Sequence, residues 1–89
     1  MHELPIPALA TSDPDAFEVL RFWMAQNTDC LSAQIEGYGD AEVWGITLAG
    51  IGRDVARLLA KQEGKPAEEL LDEIEAAFHV ELKAQSPRV

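Results

Sequence analysis

Glu75 and His79 stand four residues apart in "LLDEIEAAFHVEL", the spacing that puts two side chains on one helix face. A carboxylate beside an imidazole is half of a metal site or an acid–base pair. The same spacing is also an ordinary exposed helix pair. Zinc or iron needs further ligands, and neither H-E-x-x-H nor paired E-x-x-H motifs occur. No metal is therefore assigned. Cys30 is the sole cysteine. A catalytic thiol needs a base or a positive environment, and the sequence around Cys30 supplies neither. The serines and threonines lie in no G-x-S-x-G elbow. No catalytic residue is assigned, and the chain is read as a non-enzyme.

Arg21 and Glu81 form a second candidate pair. Arg21 interrupts an apolar strand face, and Glu81 projects from the apolar side of a helix. If they met, a half-buried ion pair could anchor a small ligand. Alternatively, Arg21 lies over Trp23 with its head in water, and Glu81 is solvated at a helix end. The usual exposure of these residue types favours the second arrangement.

The third candidate is the glycine-rich run "VWGITLAGIGRDVARLL", Val43 to Leu59. A phosphate loop would need G-x-x-x-x-G-K-[ST], but Gly45 and Gly50 are followed by Ile51 and Gly52. The dinucleotide pattern would need glycine where Val55 stands. No cofactor is assigned. Placed at helical steps, Trp44, Leu48, Ile51, Val55, Leu58 and Leu59 form one stripe of large apolar residues. Gly45, Ala49, Gly52 and Ala56 form an adjacent stripe of small ones, expected to let another backbone come close, either the hairpin or the second helix. Gly50 falls outside both, near Val43 and Ile46, and should cost about 1 kcal/mol relative to Ala. It is either neutral drift or part of an apolar patch for a partner.

The elements that must position these residues follow from pattern and punctuation. Residues 1–15 carry Pro5, Pro7 and Pro14 and read as an extended arm, with His2 in a mobile terminus. Ala16–Ala25 has a helix-like start at Asp13-Pro14 but strand-favouring Phe, Val and Trp. It is read as a strand. "QNTD" follows as a turn, and Cys30–Glu36 alternates cleanly, giving a β-hairpin. Asp40 caps a helix running to about Gln62, and Gly64 stops it. A second helix opens at Pro66, with acids in its first turn, and runs to about Lys83. Its core face is Ala67, Leu70, Leu71, Ile74, Ala77, Phe78 and Leu82; its outer face is Glu68, Asp72, Glu75 and His79. Residues 16–84 make a single α+β domain, a ββαα unit, and 85–89 a frayed tail.

A lone hairpin has two open edges, and its first strand is apolar on both faces. Phe22 and Trp23 cannot both be covered by the helices. Homodimerisation that extends the sheet is the expected solution. Phe22, Trp23, Val43, Ile46 and Gly50 are the candidate interface toward a second copy or another protein.

Composition bounds the partners. The 89 residues are 47% hydrophobic, suited to a folded domain with a modest core. Sixteen acidic against seven basic residues give a net charge of −9. That field disfavours nucleic acid and anionic membranes. The acids lie dispersed on helix faces, which also disfavours mimicry of a nucleic acid duplex. No apolar run approaches the ~20 residues of a membrane span. The N-terminus lacks a secretory pattern, and one cysteine fits a reducing compartment. The chain is read as cytoplasmic.

"DAFEVLRFWMA" and "AEVWGITLAGIGRDVARLL", with the spacing from Trp23 to Trp44 and on to "LLDEIEAAFHVEL", resemble a small bacterial family. It is the domain of unknown function numbered five thousand and seventy-six. The resemblance covers nearly the whole chain. It implies a compact α/β domain without an established activity and brings no catalytic or binding residues. The leading expectation is a non-enzymatic, acidic homodimeric or protein-binding domain. The alternative is a small-ligand-binding or enzyme-accessory protein with a pocket between hairpin and helices.

Overall fold

A computed structural model describes residues 3–84 of the chain. It shows α1 (Ala8–Ser12), β1 (Leu20–Ala25), β2 (Thr28–Ala33), α2 (Ala41–Glu63) and α3 (Ala67–Ala84). This is the expected α+β arrangement, an antiparallel hairpin followed by two long helices. His2 and the tail at 85–89 lie outside the described residues. The chain divides into two units, Met1–Gly39 and Asp40–Val89.

In the first unit the arm is not wholly extended. Pro7 supplies the first turn of α1, accepting a hydrogen bond from the Thr11 amide at 3.1 Å. A proline there forfeits an N–H that a helix start leaves unpaired anyway. The strands are shorter and tighter than the sequence pattern suggests. β1 starts at Leu20, not Ala16, and β2 covers Thr28–Ala33, not Cys30–Glu36. The turn is the two residues Gln26 and Asn27, both with positive φ, 52° and 58°. Two left-handed central residues make the type I′ geometry that matches strand twist. This short turn moves Thr28 and Asp29 from the expected loop into β2.

Register follows from the turn. Leu20 faces Ala33, Phe22 faces Leu31 and Met24 faces Asp29; on the other side Arg21 faces Ser32 and Trp23 faces Cys30. One face of the hairpin is therefore apolar apart from Asp29. It is not covered: Phe22, Met24 and Leu31 are all exposed, Phe22 at 59%.

In the second unit the caps act as the sequence indicates. The Val43 amide donates to the Asp40 carboxylate at 3.0 Å. Gly64, at φ 72°, takes the left-handed conformation and its amide donates to the Ala60 carbonyl. Acidic Glu68 and Glu69 open α3, and Lys83 sits in its last turn, both favourable to the helix dipole.

α2 packs on α3 through a small contact. Among the described residues only Ala56 and Leu70 are buried, at 1% and 5% exposure. Ala56 belongs to the stripe of small residues, so that stripe, rather than the large one, faces α3. α3 is one of the two neighbours expected for the small stripe, while most of the large stripe is left exposed. Leu48, Ile51, Val55 and Leu58 are exposed, Leu58 at 66%, while Trp44 and Leu59 are half-buried. On α3 the first half of the expected face is covered, with Ala67, Leu71 and Ile74 half-buried; Ala77, Phe78 and Leu82 are exposed.

Replacing Gln26-Asn27 by Asn-Gly should stabilise the hairpin by about 1 kcal/mol, because glycine relieves the left-handed strain. Urea midpoints check this, and an unchanged midpoint would count against the turn geometry. Asp40→Ala should cost about 1 kcal/mol through loss of the cap, read in the same assay.

Candidate functional site

The sequence candidates fall into both units. Arg21 lies in the hairpin unit and Glu81 in the helical unit. Arg21 is engaged locally. Its Nε donates to Glu18 at 3.1 Å and its Nη1 stands 3.4 Å from Glu3. Its guanidinium carbon lies 6.0 Å from the centre of the Trp23 ring, within reach of a cation–π attraction. The hydrogen bond Arg21 donates to Glu18, then the charge of Glu18 and, more weakly, of Glu3, raise the Arg21 pKa above its usual value. Arg21 is thus a hub that gathers two carboxylates and one indole on a single face of β1. Glu81 is exposed on α3.

The interface candidates on α2 form a shallow patch. Ile46 is 65% exposed and Val43 is exposed beside it. Gly50 is half-buried rather than open. A methyl group there would meet only the Arg53 guanidinium, at 3.8 Å. Position 50 therefore has room for a side chain, and its glycine is not required by packing.

The small-residue stripe does something the sequence reasoning missed. At Gly45 and Gly52 an added methyl would meet nothing within 4 Å. These glycines do not admit a neighbouring backbone. They leave space, and the space is a groove of about 410 Å³ between α2 and α3. Gly45, Ala49, Gly52, Ile74 and Phe78 are among the residues lining it, and Arg53, Asp72, Glu75 and His79 supply its polar groups. His79 meets Phe78 edge-on, with ring centres 6.2 Å apart. The expected outer face of α3 is thus partly a rim. The signal was present in the sequence: small residues on α2, across from Phe78 on α3, leave a gap between the two helices. Among the described residues no group of three or more His, Cys, Asp or Glu is placed to hold a metal ion. Cys30 is exposed in β2.

The model of a family described as "Domain of unknown function (DUF5076)" matches residues 3–86. The chain belongs to the DUF5076 family. Among curated proteins none matches it. A similar solved structure is described as a "putative pyruvate dehydrogenase from the photosynthetic bacterium Rhodopseudomonas palustrus CGA009". That chain is 27% identical, with a TM-score of 0.71, and the match covers 100% of this chain and 91% of the other. This DUF5076 domain therefore shares its whole fold with that neighbour. No helix among its described residues is long and apolar enough to cross a membrane.

The groove makes a stability prediction. Gly52→Ala should stabilise this DUF5076 domain by roughly 0.5–1 kcal/mol, because helix propensity improves and no clash opposes it. A loss of stability in thermal or urea unfolding would show that position 52 is sealed against a neighbour.

Proposed function

We propose that this domain is a non-enzymatic, acidic module that works by self-association as a homodimer and binds through the surfaces its fold leaves uncovered. The observation that carries this reading is the mismatch between apolar rows and buried residues. Among the described residues two side chains are buried, while most of the hairpin face and most of the large stripe of α2 stay exposed. Fully burying a Leu, Ile, Val or Phe contributes roughly 1.5–3 kcal/mol, and Leu70 alone among the large residues draws on it fully. Exposed apolar rows of this kind mark interaction sites. The hairpin has two free edges, and a two-stranded sheet is marginal until it gains strands or a covering layer. The net charge of −9 keeps such a module soluble and off nucleic acids and anionic membranes.

A second reading is supported by the groove between α2 and α3. Its mainly apolar lining and polar rim suit a small amphipathic ligand. It is a different pocket from the one expected between hairpin and helices at Arg21 and Glu81. The name of the structural neighbour favours, within this reading, an accessory role beside a pyruvate-handling enzyme. Cytoplasmic residence fits either reading.

Sedimentation velocity at micromolar concentration should give a dimer mass; a monomer independent of concentration overturns the homodimer. For the ligand reading, a thermal-shift panel of 2-oxo acids and short fatty acids should show stabilisation that Gly52→Leu, which fills the groove, abolishes. No response from any member would remove that reading.

A further inference from the structure

Resting on the homodimer reading, we infer that a second copy docks on the outer edge of β1, with the two-fold axis at Phe22. The order of the resulting four-stranded sheet is β2-β1-β1-β2.

The hydrogen-bond parity of the hairpin identifies which groups are offered. The Gln34 amide donates to the Val19 carbonyl at 2.8 Å. Residues 19 and 34 continue the register of the hairpin, so 19, 21, 23 and 25 are the bonded positions of β1. Leu20, Phe22 and Met24 then turn their N–H and C=O groups outward. Among the described residues no backbone hydrogen bond reaches them from outside the hairpin. On β2 the outward positions are Asp29, Leu31 and Ala33.

The side chains choose β1. Its outward positions are all large and apolar, and all lie on the same bare face as Leu31. β2 carries Asp29 on that face, and a charge at a strand edge is a guard against pairing. Symmetry then restricts the register. A two-fold axis perpendicular to the sheet keeps each face on its own side. Opposed residues must therefore have the same parity, and the axis must pass through a residue. Centred on Phe22, Leu20 opposes the partner's Met24, and Phe22 opposes the partner's Phe22. All three outward positions are then paired, each pair exchanging two hydrogen bonds. Centring on Arg21 or Trp23 leaves one outward position of each strand unpaired, and centring on Arg21 also sets Arg21 against its own copy.

The other face agrees. With Phe22 on the axis, Arg21 stands opposite the partner's Trp23, extending the cation–π contact it makes within its own strand. The two Arg21 side chains come near each other diagonally. Each already holds Glu3 and Glu18, so their charges do not oppose the approach. The apolar face becomes one continuous row, Leu31–Phe22–Phe22–Leu31, across both copies.

Two matched pairs of variants test this. Phe22→Pro removes an outward N–H and spares the hairpin's own bonds. It should raise the dimer dissociation constant by on the order of thirtyfold, from two lost hydrogen bonds per dimer. Leu31→Pro, the same change on the β2 edge, should not. In a Cys30→Ser background, Phe22→Cys should form a disulfide-linked dimer on mild oxidation. Opposed strand residues lie about 5.5 Å apart at Cα, within disulfide range. Leu31→Cys should stay reduced. If Leu31→Cys cross-links instead, the edge assignment fails while the homodimer stands. If the wild type is a dimer and neither cysteine cross-links, edge pairing is overturned and the exposed α2 stripe is the interface. A monomeric wild type defeats the homodimer reading itself. Phe22→Cys keeps the test decisive if Phe22→Pro does not fold.

Discussion

Apolar surface without cover is the condition that organises this molecule. The helical unit meets across Ala56 and Leu70, a seam made narrow by a stripe of small residues. Because that stripe faces α3, most of the large residues a quarter-turn away on α2 do not. Leu48 stands at the edge of the groove, and Ile51, Val55 and Leu58 form an exposed row beyond it. The hairpin repeats the pattern with Phe22, Met24 and Leu31. Each unit is well formed locally and unfinished as a folded object. A chain of this size has little surplus stability to spend on bare apolar faces.

Local structure, by contrast, is over-determined. Asp40 and Gly64 bracket α2 through side-chain and backbone bonds that need no tertiary help. The Gln26-Asn27 turn fixes the hairpin register, and through it which backbone groups face outward. Arg21 illustrates how little distance is needed to satisfy a charge. Glu18, three residues away, and Glu3, in the arm, hold it. A residue that looks like a ligand anchor in the sequence is occupied by its neighbours.

The glycines of α2 carry three different meanings. Gly50 leaves room that nothing uses except the Arg53 side chain. Gly45 and Gly52 hold open a groove whose far wall includes Ile74 and Phe78. Gly64, beyond the helix, is the one whose backbone needs glycine, at φ 72°. Only the last was readable from position alone, because a helix stop is a local event.

By itself the sequence determined the hairpin, the two long helices with their order and caps, and the family, but not the short α1 in the arm. These depend on spacing and on interactions within a few residues. It also separated the large and small stripes of α2 correctly. What it could not decide was which stripe faces α3, since either choice satisfies helical periodicity. Tertiary structure decided that, and the choice of the small stripe placed the groove and exposed the large row. The ends of the strands were likewise set by pairing: a two-residue turn admits Thr28 and Asp29 to the ladder, and the alternation through Ile35 and Glu36 continues past the last cross-strand bond, at Gln34. Periodicity records which side a residue would bury, and only a partner determines whether it does.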